Sequence, residues 1–294
     1  MTRRELYNKV WTTVAPLYDH PEPVAIAERV CADVYGFDRF EMTLFPNVEV
    51  EGFDTERFAT ILQQLSEGRP VQYVVGHTEF CDLRFAVREG VLIPRPETEE
   101  LVRKIVAEWG SEGAMNVDNG GSHSLRLMDI GTGSGAIAVS LAKMIEGARV
   151  TAVDVSSAAL TIASENAVAN GVDVEFVGAD IFRFAPPAES LDVIVSNPPY
   201  IPESERATMG ANVTDYEPSL ALFVPDHSPI VFYERIADVA REALVGGGAL
   251  YFEVHEIYAS EVAECLTERG FVDVQITEDF FAKPRIVSCR KAKL

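Results

Sequence analysis

Apolar residues recur at helical spacing from Leu6 to about Gln72, as in Val24, Ile26, Ala27, Val30 and Val34, and again in Phe58, Ile61, Leu62 and Leu65. This pattern predicts a small helical domain over residues 1–75. Asp54 or Thr55 is placed to cap its later helix, and Gly68 and Pro70 are placed to end it. Between Gly76 and Ile93 the period shortens to two, in Glu79 to Cys81 and Leu83 to Val87, which predicts a β-hairpin over 76–93 joining two domains. Pro94 to Pro96 then precede a helix from about Glu97 to Trp109. Its apolar face is Leu101, Val102, Ile105, Val106 and Trp109, and Glu97, Glu99 and Glu100 stand in the first turn, where the helix dipole favours acids. Residues 110–124, rich in Gly, Ser and Asn and without periodicity, read as a flexible surface connection. Beyond them, strands near 125–130, 149–155, 173–178, 191–196, 248–254, 271–277 and 284–290 alternate with helices near 135–146, 157–170, 229–244 and 258–269. Such alternation over 94–294 predicts a doubly wound α/β domain.

A length of 294 residues agrees with two domains, and 47% hydrophobic with 9% aromatic residues excludes disorder. Charge adds a functional constraint: 25 Lys and Arg against 46 Asp and Glu give −21, and both parts of the chain are acidic. Such a surface repels polyphosphate, so stable nucleic-acid binding is not expected and a basic partner is favoured. Cys31, Cys81, Cys265 and Cys289 are far apart with no C-x-x-C pair, and His20, His77, His123, His227 and His255 have no metal-ligand spacing, so they read as structural or surface residues. Residues Met1 to Tyr18 lack the apolar core of a signal peptide, and no run of about 18 apolar residues could span a bilayer. A metal-free cytoplasmic protein without membrane contact is therefore expected, as a monomer.

Candidate chemistry begins with Asp129-Ile130-Gly131-Thr132-Gly133-Ser134-Gly135, at the end of the first α/β strand and running into an apolar helix. Glycines here let a strand turn sharply into a helix while a ligand lies against bare backbone. With Ala136 the run also fits G-x-G-x-x-G/A, so NAD, S-adenosylmethionine and a mere tight turn all stand. Asp154 ends the next strand, 23 positions after Gly131, where a carboxylate can accept both ribose hydroxyls or cap the helix that follows. Asp180 and Ile181 close the third strand, placed to meet an adenine amino group and ring, or simply to turn the chain. Ser196-Asn197-Pro198-Pro199-Tyr200 follows the strand Leu191 to Val195 and would face the same crevice. Two prolines, each with φ fixed and no N–H, leave outward carbonyls beside the Asn197 amide and the Tyr200 ring. That set suits a planar NH2 group: the Asn197 oxygen and the Pro198 carbonyl each take one hydrogen, and Tyr200 covers the plane.

Together with Arg69-Pro70-Val71-Gln72-Tyr73-Val74-Val75-Gly76, Leu92-Ile93-Pro94-Arg95-Pro96-Glu97-Thr98-Glu99 and Tyr216-Glu217-Pro218-Ser219-Leu220-Ala221-Leu222, these motifs closely resemble the bacterial release-factor glutamine methyltransferases, the PrmC/HemK family. The resemblance covers nearly the whole chain. It implies a Rossmann-like class I S-adenosylmethionine-dependent methyltransferase domain with a seven-stranded sheet, preceded by the helical domain and hairpin. It implies methylation of the side-chain amide nitrogen, N5, of the glutamine in the Gly-Gly-Gln loop of peptide chain release factors. It further implies cofactor contacts at Gly131, Thr132, Gly133, Ser134, Gly135, Asp154, Asp180, Ile181 and Asn197. Substrate contacts fall on Asn197, Pro198, Pro199 and Tyr200, with catalysis on Asn197, Pro198 and Tyr200. Many family members carry an aromatic residue near the position of Ile181.

An amide lone pair is delocalised, so the expected mechanism is direct in-line transfer from a hydrogen-bonded clamp, and positioning can supply about 7 to 11 kcal/mol. The helical domain is expected to select the partner. Residues 201–228 read as a lid, oriented by Glu217 unless that acid is simply solvated. Lys283, Arg285, Arg290, Lys291 and Lys293 read as a charged edge strand or an RNA contact. The Asn-Pro-Pro-Tyr motif is shared with nucleic-acid adenine-N6 methyltransferases, but this acidic chain lacks their basic groove. A ribosomal-protein glutamine N5-methyltransferase would use identical chemistry, and a non-catalytic cofactor-binding protein is disfavoured by the intact Asn197.

Overall fold

The computed structural model describes residues 1–110, 116–118 and 121–293. They form two compact units, Met1–His77 with Gly210–Tyr216, and Thr78–Met209 with Glu217–Leu294. The first unit is helical: α1 (Arg3–Val14), α2 (Glu22–Tyr35), α3 (Arg39–Leu44), α4 (Thr55–Ser66) and α5 (Val71–Val75). Thr2 and Glu5 form a capping box on α1, and Asp54, not Thr55, caps α4 by accepting from the Glu56 and Arg57 N–H groups. Leu6, Val10, Val14, Ile26, Val30, Phe58, Ile61 and Leu65 make its core. Gly210–Tyr216 belongs to this unit, where the Tyr216 hydroxyl donates to the Glu67 carbonyl at 2.9 Å.

The expected hairpin is β1 (His77–Phe80) and β2 (Leu83–Ala86). Both of its turn residues, Cys81 and Asp82, have positive φ, as a two-residue turn between right-twisted strands requires. The helix α6 (Pro96–Trp109) opens with proline at its first position and buries Leu101, Val102 and Ile105. Of the 110–124 connection, residues 111–115 and 119–120 and the side chain of His123 lie outside the described residues; Asn116–Asp118 pairs antiparallel with Gly121–His123.

The α/β unit is built on β3 (Arg126–Ile130), β4 (Arg149–Asp154), β5 (Glu175–Gly178), β6 (Leu191–Ser196), β7 (Leu244–Glu253), β8 (Phe271–Glu278) and β9 (Pro284–Lys291), in sheet order β8-β9-β7-β6-β3-β4-β5. Six strands run in one direction, and β9 alone runs against them, pairing antiparallel with both β7 and β8. Helices α7 (Ala136–Met144), α8 (Ser157–Asn170), α9 (Val231–Ala243) and α10 (Ala259–Glu268) complete the layers. Every residue of β6 is buried, and separate apolar clusters cover the two sheet faces, one containing α7 and the other α9 and α10. Two expectations change. Arg285, Arg290 and Lys291 sit on β9, with Lys283 and Lys293 flanking it, and β9 lies inside the sheet between β8 and β7 because the last two strands fold back as an antiparallel pair; the edge strand on that side is β8. Arg285 and Arg290 there are paired with Asp279 and Glu108. Residues 201–228 are not structureless: Ile201–Pro202 pairs with Phe223–Val224, and short helical turns lie between.

Candidate active site

Sheet order places β3 and β6 side by side although β4 and β5 intervene in sequence, so their carboxyl ends meet at the switch point of the sheet. The glycine loop leaves β3 and the Asn197–Tyr200 turn leaves β6, and the Ser196 hydroxyl ties the two ends by donating to the Ile130 carbonyl at 2.6 Å. A cavity of about 360 Å3 opens there, inside the usual size range of ligand sites.

Within the loop the roles alternate. Gly131 and Gly133 line the cavity with positive φ, and a Cβ on either would meet nothing within 4 Å, so their backbone is open to a ligand. Thr132, Ser134 and Gly135 do not line it. Thr132 is turned inward and donates to Asp129 at 2.7 Å, Ser134 is buried, and Gly135 packs against Ala163 as the start of α7. The Ser134 carbonyl accepts from buried Asn166 of α8, whose amide also brackets the Ala86 N–H and carbonyl, binding loop and hairpin to one helix.

Asp154 lines the cavity and accepts from the Gly133 N–H (2.9 Å) and the Ser156 N–H (2.8 Å). Each oxygen keeps a further lone pair. Ser156, rather than Asp154, caps α8. Asp180 and Ile181 line the far end, with Ile181 nearly buried, and the exposed aromatic ring at this end is the next residue, Phe182, which packs at 5.2 Å on Phe232.

Asn197, Pro198 and Pro199 line the other end. The Asn197 Nδ2 donates to Thr98 Oγ1 at 3.4 Å, and Thr98 donates to Glu253 Oε2 at 2.6 Å. Tyr200 does not line this cavity: its hydroxyl donates to Glu253 Oε1 at 3.3 Å and its ring meets His255 edge-on. Burial beside Glu253 raises the Tyr200 pKa, so the phenol stays protonated. Glu217 is buried rather than solvated, accepting from the Ile93 N–H at 2.9 Å and pairing with Arg95 at 2.6 Å. It thereby fixes the Ile93-Pro94-Arg95-Pro96 segment that starts α6. Thr98, Glu253, Asn166 and Phe182 were not singled out from sequence. The signal for Glu253 is a lone acid ending the apolar run Ala249 to Phe252; the others have none of comparable strength.

A glycine loop and an Asn-Pro-Pro-Tyr turn at the switch point of this seven-stranded sheet define a Rossmann-like class I S-adenosylmethionine-dependent methyltransferase. Residues 114–213 match the family described as methyltransferase small domain, and residues 13–76 match the PrmC N-terminal domain. The chain is 40% identical over 276 residues to the release factor glutamine methyltransferase of Bacteroides thetaiotaomicron, covering 94% of this chain and 95% of that one. It is 37% identical to that of Flavobacterium psychrophilum, over 93% and 94% of the two chains. With that of Chlorobaculum tepidum it shares 40% identity over 91% and 90%. The chain belongs to the release factor glutamine methyltransferase family.

Proposed function

We propose that this protein transfers a methyl group from S-adenosylmethionine to N5 of the glutamine in the Gly-Gly-Gln loop of peptide chain release factors. The carrying observation is the Asn197 amide, whose NH2 is taken by Thr98 while the residue lines the cavity. That leaves Asn197 Oδ1 as an acceptor for a substrate donor. The cavity suits the cofactor: bare backbone at Gly131 and Gly133, a carboxylate at Asp154 with lone pairs to spare, and an apolar face at Ile181 and Phe182. S-adenosylmethionine bound there supplies an electrophilic sulfonium methyl.

Asn197 Oδ1 and the Pro198 carbonyl hold the two hydrogens of the substrate NH2, and the adjacent prolines keep these acceptors from turning. The nitrogen grows positive and acidic as it gains the methyl, so both acceptors bind it more strongly in flight than at rest, and they orient the proton that departs to water. No charged base is needed beforehand. Membership of the family supports the release factor as partner; its recognition is our own assignment to residues 1–75, the part of the chain that contains the match to the PrmC N-terminal domain.

Incubation of the purified protein with labelled cofactor and intact release factors, followed by peptide mass spectrometry, should place one methyl on the Gly-Gly-Gln glutamine. Asn197→Ala should leave S-adenosylhomocysteine affinity nearly intact while turnover falls by about 2.7 to 4 kcal/mol of barrier. Label on a ribosomal protein or an adenine base instead, or undiminished turnover by the variant, would overturn the reading.

A further inference from the structure

Glu253 ends β7 directly beside the end of β6, its neighbour Phe252 in register with Ser196. Its side chain is buried, yet both oxygens accept only neutral hydroxyls, from Thr98 and Tyr200, and no cation lies within ion-pair distance among the described residues. Burying a carboxylate on such terms is costly, and an apolar residue of the same size would pack there without that cost. The arrangement has a consequence two bonds away. A hydroxyl carries one hydrogen, and Thr98 commits it to Glu253 at 2.6 Å. Toward Asn197 Thr98 can then only accept, so the NH2 of that amide must face it and the oxygen must face away. The 3.4 Å contact is long, and the amide is held by polarity rather than by a tight bond.

We propose that Glu253, acting through Thr98, is a positioning residue that fixes which end of the Asn197 amide faces the substrate. This rests on the glutamine-amide reading given above. Were Glu253 to lose its acceptor character, Thr98 would be free to donate to Asn197 Oδ1. The amide would turn over and present NH2 to a substrate NH2, donor against donor. Tyr200 receives the same control through the other carboxylate oxygen. Burial raises the Glu253 pKa above the ordinary carboxylate range, with Glu97 of α6 pushing the same way, while the Thr98 and Tyr200 hydroxyls and Arg285 of β9 oppose it. The orientation should therefore fail on the acid side at a pH where ordinary carboxylates remain ionised.

The test is steady-state methylation of an intact release factor by full-length E253Q, T98V, T98S and the E253Q/T98V double variant, with S-adenosylhomocysteine calorimetry and thermal unfolding on each. We expect kcat to fall about 100-fold in E253Q and in T98V, with KM and cofactor affinity within about twofold of wild type. T98S, which keeps the hydroxyl, should recover most of the rate. The double variant should be no slower than either single one, because both break one relay. The acid limb of the wild-type kcat profile should be missing from E253Q. Wild-type kcat in E253Q, additive losses in the double variant, or no rescue by T98S would overturn the proposal. If E253Q unfolds, the near-isosteric T98V and its serine counterpart decide alone. A wild-type protein that binds S-adenosylhomocysteine but methylates no release factor would instead sink the substrate reading, and the relay's purpose with it.

Discussion

The Asp154 carboxylate that faces the cavity also holds the Gly133 and Ser156 N–H groups, so the cofactor role proposed for it would rest on a side chain already fixed by the fold. Asp154→Ala should weaken S-adenosylhomocysteine binding by about 1.5–3 kcal/mol in calorimetry, and the wild type should not bind NAD. Tight NAD binding would reject the cofactor assignment. Asp129 lies one layer deeper, fully buried, with Oδ2 accepting from Thr132 and the Ala138 N–H and Oδ1 without a partner. Burial pushes its carboxyl from 3.8 to about 7, with Asp154 adding a smaller upward push against the hydrogen bonds from Thr132 and Ala138. The folded state thus binds this proton more tightly than the unfolded chain does. Its stability contribution is full below the ordinary carboxylate pKa and is lost as pH rises through about 7. Asp129→Asn removes the titration. The Tm of the variant relative to wild type should therefore rise steadily from pH 4 to about pH 8 in scanning calorimetry, and a gap independent of pH would show that Asp129 does not hold its proton.

At the level of elements, Gly135 joins the loop to α7 at φ 82°, and a Cβ there would lie 3.0 Å from the Ala163 Cβ of α8. Gly135→Ala should cost about 1–3 kcal/mol through backbone strain and forced separation of the helices, read as a lowered Tm, and an unchanged Tm would show that the contact has slack. Such local devices are what sequence displays. The central strands of the sheet were legible because β3 and β6 bury both faces, and β4 half of its residues, so they appear as short apolar runs closed by Gly, Asp or Pro. The glycine loop and the Asn197–Tyr200 turn were legible because their chemistry is carried by adjacent residues. Thr98 and Glu253 are 155 positions apart, and Ile93 and Glu217 124 apart, so neither pairing exists until the sheet and α6 have assembled. The short helices α3 and α5 hold too few residues to show a period, and nothing in Gly210–Tyr216 marks it as part of the helical unit.

For the molecule as a whole, the question is how a glutamine side chain, too small to identify its owner, is accepted from one kind of protein. Selection has to come from surface beyond the Asn197 turn, and the helical unit is the sizeable part of the chain not needed to build the cavity at the switch point, all of whose lining residues belong to the α/β unit. A chain beginning at Gly76 should therefore still bind S-adenosylhomocysteine. That affinity is the necessary control, because Gly210–Tyr216 loses the helices it groups with. The same chain should methylate intact release factor far more slowly, chiefly through a raised KM, while a short Gly-Gly-Gln peptide is methylated equally by both forms. The net charge of −21 gives the full-length protein a second signature. Attraction of a basic partner surface reaches about 30 Å at 0.01 M salt but only about 8 Å at 0.15 M, so kcat/KM on the intact factor should fall over that range while the peptide reaction barely moves. Equal kcat/KM for truncated and full-length protein on the intact factor would remove recognition from residues 1–75 and leave them a role in stability; a salt-independent rate would remove charge from the encounter.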